Sequence, residues 1–189
     1  MSDFSKAFEK TMKFEDEGLT GKVTVDAGGR TRFGIAEKFH PDLQDAFFTQ
    51  PAEDALAEAE QMMRGAYWDK LNLSEVQDQD VADKIFDMAV NMGTHQAAVM
   101  VQRAVNFCIS NDALKVIDSE DYSTPLVAVF PLLEDGVIGV KTIAQINMTD
   151  VAALLKMLRE LSESLYRHIA TNNPAQAVNL EGWLKRAAA

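Results

Sequence analysis

Cysteine is nearly absent from the chain. Cys108 is the only one, so no internal disulfide can form, as expected of a protein made in a reducing cytosol. Long apolar runs are absent too: nothing approaches the roughly 20 consecutive apolar residues that a membrane-spanning helix needs. The opening Met1-Ser-Asp-Phe-Ser-Lys holds no apolar signal core, so synthesis without a secretory signal is expected. Basic residues are scarce, 18 against 29 acidic ones for a net charge of −11. That balance argues against nucleic acid, whose phosphates call for a basic surface, and against anionic lipid. Histidine is limited to His40, His95 and His168. They have no ligand spacing among themselves or to Cys108, so no metal and no cofactor are expected. Gly28-Gly29 lacks the Lys-Ser/Thr of a phosphate-cradling loop, and no serine or cysteine has a histidine partner nearby in sequence.

What is present is ordinary in bulk. Apolar and charged shares of 47% and 25% are those of a globular protein. The 189 residues suffice for one domain with a substantial core, or two small ones sharing an interface. The most informative stretch is Phe14-Glu-Asp-Glu-Gly-Leu-Thr-Gly-Lys-Val-Thr-Val-Asp-Ala-Gly-Gly-Arg-Thr-Arg-Phe-Gly-Ile35. Leading into it, Phe4, Ala7, Phe8, Thr11, Met12 and Phe14 recur mostly at spacings of three and four, which predicts an amphipathic helix over 4–16. The chain turns at Gly18, and Lys22-Val-Thr-Val-Asp26 alternates like a half-exposed strand. Gly28 and Gly29 permit a tight reversal, with Thr31-Arg-Phe-Gly-Ile35 as the partner strand. Closure over a four-residue loop would set Asp26 opposite Thr31, with Cβ atoms about 4.5–5.5 Å apart.

Glu17, Asp26 and Thr31 then suggest glycosidic chemistry. Cleaving such a bond takes one carboxyl that stays protonated for the leaving oxygen and another that stays ionised. Glu17 follows a helix C-terminus, where the dipole disfavours negative charge, and has apolar Phe14 and Leu19 nearby. Asp26 sits on a polar hairpin that keeps it charged, where Thr31 positions a water. The competing reading of these acids is solvated surface charge. Arg30 or Arg32 either holds Asp26 ionised, meets a carboxylate of the substrate, or makes a plain surface salt bridge.

Further along, Ala36-Glu-Lys-Phe-His40 reads as a short helical piece stopped by Pro41. Gln50-Pro51 opens a longer helix whose apolar stripe ends at Tyr67-Trp68. Either both rings fill the core, or Tyr67 lies at a cleft wall against a sugar face. Asp78 or Asp80 caps a helix over 81–92 that should be central and mostly buried, ending at Gly93. Its Asp87 and Asn91 must find partners, Asn91 either in a substrate or as a structural bridge. Thr94 caps the next helix, which runs through Cys108. The pattern weakens over 107–134, where 126–130 either forms a strand or covers an apolar patch. Asp135-Gly-Val-Ile-Gly-Val-Lys-Thr142 is a turn before a hydroxyl-capped helix. A last long helix starts at Thr149 and stops at Asn172-Asn-Pro174.

Glu17-Gly18, Asp26-Ala-Gly-Gly-Arg-Thr31 and Phe33-Gly34-Ile35 together resemble the signature of glycoside hydrolase family 108, the phage and bacterial N-acetylmuramidases. Leu19 stands where that family has a second glycine, and Ala27 where it has proline. Tyr67-Trp68, Phe86-Asp-Met-Ala-Val-Asn-Met-Gly93 and the ending Gly182-Trp183-Leu-Lys-Arg186 are also similar to family segments. Against the family's short connection, 107–134 reads as an insertion, and the turn at 135–142 resembles that of peptidoglycan-binding modules.

The resemblance implies a mainly α, lysozyme-like fold with one small β-hairpin near the N-terminus. Residues 1–92 would form the hydrolase region, and 93–189 a helical peptidoglycan-binding-like region packed into one globule with it. It implies an enzyme cutting the β-1,4 bond between N-acetylmuramic acid and N-acetylglucosamine. Glu17 would be the general acid, with Asp26 and Thr31 activating water and inversion as the outcome. Arg30, Tyr67 and Asn91 are the expected substrate contacts. The implied partners are peptidoglycan glycan strands, met by a monomer without membrane insertion. A separate holin-like pore would release it from the host cytoplasm to the cell wall, as for a phage endolysin. The alternatives are a lytic transglycosylase and a non-catalytic wall-binding or secretion-assisting module. Because peptidoglycan carries carboxylates, hydrolysis by a chain of net charge −11 should rise as salt is first added and repulsion is screened. Turbidity clearing that slows steadily from the lowest salt upward would contradict this.

Overall fold

A computed structural model describes residues 1–16, 18–26, 29–40, 43, 45–118 and 131–189, with backbone alone at 26 and 111–118. Glu17, Ala27, Gly28, Pro41 and residues 126–130 lie outside these. Helices dominate the described residues: α1 (Phe4–Glu15), α2 (Asp45–Thr49), α3 (Ala52–Met63), α4 (Gln79–Met92), α5 (Thr94–Asp118), α6 (Val140–Met148), α7 (Val151–Asn172) and α8 (Leu180–Ala188). A π-helical segment, Arg64–Asp69, follows α3, and short 3-10 turns occupy Glu37–Phe39, Leu73–Glu75 and Pro174–Asn179. One antiparallel sheet holds β1 (Thr24–Asp26), β2 (Gly29–Arg32) and β3 (Ile35–Ala36) in that order. The architecture is the mainly helical, lysozyme-like one the resemblance implied. No helix among the described residues is long and apolar enough to cross a membrane.

The axis is α4. Asp78 caps it by accepting from the Val81 amide at 3.0 Å, which satisfies one of the helix's orphan donors. Gly93 ends it with φ of +85°. Every residue from 81 to 89 is buried, because α1, α5 and α7 pack around it. Phe86 meets Phe4 edge-on at 5.6 Å and Trp68 at 5.9 Å. Truncating a ring in such a cluster costs about 3–5 kcal/mol. The same core continues through Val101, Val105, Leu154 and Leu158, so residues before and after position 93 share it. The C-terminal helix is tied in from two sides. Trp183 stacks on Tyr166 of α7 at 5.5 Å, and Lys84 Nζ donates to the carbonyls of Arg186 at 2.9 Å and Ala187 at 2.7 Å.

Several sequence expectations are corrected. The partner strand over 31–35 is broken: Phe33 and Gly34 take φ of +49° and +74° and reverse the chain, so Ile35–Ala36 returns as a third strand. The expected helix over 36–40 is a single 3-10 turn, Glu37–Phe39. The segment Asp45–Thr49 is helical without having been expected so. The backbone of α5 runs on to Asp118, well inside the interval read as an insertion. The last long helix is capped by Asp150, which accepts from Ala153 N at 2.8 Å. Thr149 Oγ1 instead donates to Gln145 O, closing α6.

Burial pulls the Lys84 ammonium from its ordinary 10.5 down to about 8. Between those two values the unfolded chain holds a proton that the folded chain has released, so stability should rise with pH across that window. Thermal melts should show the wild type gaining on Lys84→Met there; parallel curves would refute it.

Candidate active site

The site is built where α1 hands the chain to the sheet. Asp3 caps α1 by accepting from Ser5 N at 2.9 Å, and Phe4, Ala7, Phe8, Thr11 and Met12 bury its apolar face. The helix ends at Glu15, and Asp16 closes the following loop: its Oδ2 accepts from Gly21 N at 2.7 Å and its carboxylate from Thr20 Oγ1 at 3.1 Å. Burial pushes the Asp16 carboxyl up, but these hydrogen bonds outweigh it and hold the group below its usual value. Within the loop Leu19 adopts φ of +48° while 44% exposed. Glu17, the expected acid, lies outside the described residues, between the placed Asp16 and Gly18.

The sheet's register differs from the one expected. Asp26 pairs with Gly29, Val25 with Arg30 and Thr24 with Thr31. Asp26 is therefore not opposite Thr31. A two-residue connection suits the right-handed twist of a hairpin better than a wider loop, and Gly29, at φ of +102°, accommodates the reversal at its base. Positions 26 and 31 become diagonal neighbours, about 7–8 Å apart. Only the backbone of Asp26 is described.

Arg30 and Arg32 have separate surroundings. Arg30 grips Glu37 through Nε at 3.1 Å and Nη2 at 2.6 Å, reaches Asp45 at 2.7 Å and lies 4.2 Å over the Phe48 ring. The hydrogen bond from Arg30 holds the Glu37 carboxyl below its usual range. Among the described residues Arg32 makes no surface salt bridge of the kind considered from sequence. It is 6% exposed and donates to three carbonyls, of Gly21 (2.9 Å), Phe47 (2.7 Å) and Gln50 (2.9 Å). Gly21 and Gln50 lie outside helix and strand, and Phe47 is in the last turn of α2, where a carbonyl has no partner within the helix, so a buried guanidinium supplies the donors that the backbone does not.

Behind the sheet lies a polar cluster that periodicity does not reveal. Arg186 of α8 donates from Nη1 to Glu15 Oε1 at 2.6 Å and from Nε to Asp87 Oδ1 at 2.8 Å. Burial pushes the Asp87 carboxyl up against the pull of Arg186 and Lys84. Tyr67 is half-buried and edge-on to Phe86 at 6.5 Å. Burial, and then the charge of Glu15, raise its phenol above the ordinary value. Trp68 is fully buried, its Nε1 bonded to Ser74 Oγ at 2.8 Å. Asn91 donates to the Tyr166 hydroxyl. The Gly-Trp-x-x-Arg ending was the sequence signal for Arg186, but nothing in it named Glu15 or Asp87 as partners.

A cavity of about 110 Å³ lies alongside, lined by Lys10, Phe14, Lys84, Asp87 and Arg159 among others. Ligand pockets run to about 300–1,000 Å³, so this one does not hold a disaccharide. No group of His, Cys, Asp and Glu among the described residues could hold a metal ion.

Helices packed around a small sheet, with an acid-rich junction between α1 and β1, define the class: a lysozyme-like glycoside hydrolase. Residues 10–93 match the family model of Glycosyl hydrolase 108. Its fold is similar to that of Brucella abortus SagA, with a TM-score of 0.61 at 19% identity over 98% of this chain and 93% of that one. At that identity the likeness is one of fold. Among curated proteins no relative is found.

Left-handed backbone costs a non-glycine residue about 1–2 kcal/mol, and the flexibility glycine adds to the unfolded chain costs about 0.5–1 kcal/mol. Leu19→Gly should therefore leave stability unchanged or raise it by up to about 1.5 kcal/mol, read by denaturant unfolding. A clear loss would mean the Leu19 side chain packs in a way its exposure hides.

Proposed function

We propose that this glycoside hydrolase acts on peptidoglycan, cleaving the β-1,4 bond from N-acetylmuramic acid to N-acetylglucosamine. Glu17 protonates the glycosidic oxygen as N-acetylglucosamine leaves. Asp26 takes a proton from the water that attacks the anomeric carbon from the opposite face, and Thr31 holds that water. The carboxyls then stand about 6.5–9.5 Å apart and the product inverts.

The observation that carries the reading is the order of Glu17, Asp26 and Thr31 on a helix-to-sheet junction inside the matched residues 10–93. Two features support it. The run Glu15-Asp16-Glu17 offers three acids, and two are committed: Glu15 to Arg186 and Asp16 to Gly21 and Thr20. The Asp16 carboxyl, held below its usual range by those bonds, does not keep a proton for a leaving group near neutral pH. The diagonal register of 26 and 31 also leaves room for a water between them. Tyr67, with part of its surface open, faces the sugar. Arg30 and Asn91 already donate to Glu37, Asp45 and Tyr166, and shape the cleft walls. Residues 93–189 help to hold the wall polymer, and the protein acts as a monomer after release to the cell wall through a separate pore, as a phage endolysin does.

Glu17→Gln should lower turnover of purified peptidoglycan by about 10²–10⁴-fold while leaving pelleting with the polymer unchanged. Mass spectra of wild-type digests should show reducing-end N-acetylmuramic acid. Products bearing 1,6-anhydro rings would instead indicate a lytic transglycosylase. A wild type that binds but never cuts would be a wall-binding module.

A further inference from the structure

We propose that Glu15 and Arg186 are positioning residues for this hydrolysis: the C-terminal helix, through their ion pair, sets the distance between the end of α1 and the sheet. The inference rests on the functional reading above, because it concerns the spacing of Glu17 and Asp26. None of the described residues between Glu15 and Thr24 lies in a helix or strand. No backbone ladder therefore fixes how far the acid stands from β1, and tertiary contacts must do so.

Glu15 is where those contacts meet. One carboxylate oxygen takes the guanidinium of Arg186 at 2.6 Å. The other lies against the turn between β2 and β3, where a β-carbon added to Gly34 would come within 2.9 Å of it. Only glycine, at φ of +74°, allows that approach. The same carboxylate acts on the Tyr67 phenol. Arg186 is itself anchored on α4 through Asp87, and the side chains of the three groups are only 9%, 12% and 20% exposed for Arg186, Asp87 and Glu15. A bridge so shielded from water is held more firmly than a surface pair. It ties the last turn of α1 to α8 and, through Asp87, to α4, at a carboxylate that lies against the β2–β3 turn and stands two residues before Glu17 in sequence. Catalysis by placed groups loses about 10²-fold for a misplacement near 1 Å.

Glu15→Ala, with intact far-UV dichroism, should lower kcat about 10–100-fold and change KM less than about threefold, with Glu15→Gln recovering most of the loss. A merely structural role would lower the melting temperature and leave kcat per folded molecule unchanged. Should Glu15→Ala fail to fold, Arg186→Lys keeps the charge beside Asp87 while shortening its reach to Glu15, and should give the same split. Amide exchange at 24–26 and 29–32 should quicken at least about tenfold in either variant, since loosening the junction frees the ladder. Wild-type kcat with unchanged exchange overturns the inference. If wild-type protein leaves peptidoglycan uncut, the functional reading fails and exchange alone decides: unchanged protection overturns the clamp, faster exchange upholds it.

Discussion

One guanidinium between two carboxylates governs the arrangement of this protein. Asp87 stands on a helix buried on every side over 81–89, where a charge without a partner is untenable. Its partner, Arg186, arrives from 99 residues away and continues to Glu15, 171 residues from it. Removing one member of such a buried set costs about 3–5 kcal/mol, because the others stay behind uncompensated. Two carboxylates approaching each other in low dielectric would repel, so the cation is what permits α1 and α4 to meet at this point. The orientation of α8 follows from the same need. Lys84, one turn before Asp87, fixes that helix again by donating to its last carbonyls.

A second arginine solves a different problem beside the first. The sheet is small, with only two to four residues per strand, too little to hold the loops around it. Arg32 points inward from β2 and gathers the carbonyls of Gly21, Phe47 and Gln50. The loop after α1 and the α2–α3 junction are thereby pinned to one side chain. Arg30, two residues earlier on β2, works in a more open setting with Glu37 and Asp45.

The sequence made the long elements readable and the short ones not. Apolar spacing located α1 and α4 because each buries a continuous stripe, and the aspartates at 78 and 80 announced the start of α4, of which Asp78 is the cap. The hairpin was legible in Val23, Val25 and the two glycines, but its register was not, since Gly28 and Gly29 are compatible with more than one loop length. The third strand depends on a turn in which Phe33 takes a left-handed conformation, and nothing local predicts that of a phenylalanine. The true extent of α5 was hidden by polar residues after Cys108 that a helix tolerates as well as a loop does. Within the site, Leu19 was visible as a departure from the family's glycine, and its positive φ gives that departure a physical meaning. The salt bridges of Arg186 were beyond any window along the chain, because partners so distant in sequence leave no period.

The residues that match the hydrolase family end at 93, yet the segment they cover is not electrostatically complete. Asp87 and Lys84 lie inside it, and the groups that satisfy them, the Arg186 side chain and the carbonyls of 186 and 187, lie outside. The apolar faces of α4 are likewise covered by Val101, Val105, Leu154 and Leu158 from beyond that limit. A central helix with charges on a wholly buried face can persist only if later helices supply both apolar cover and counter-charges. The later part of the chain therefore works within the fold of the earlier part as well as beside it. The acid-bearing junction is shaped by the last helix of the chain as directly as by the first.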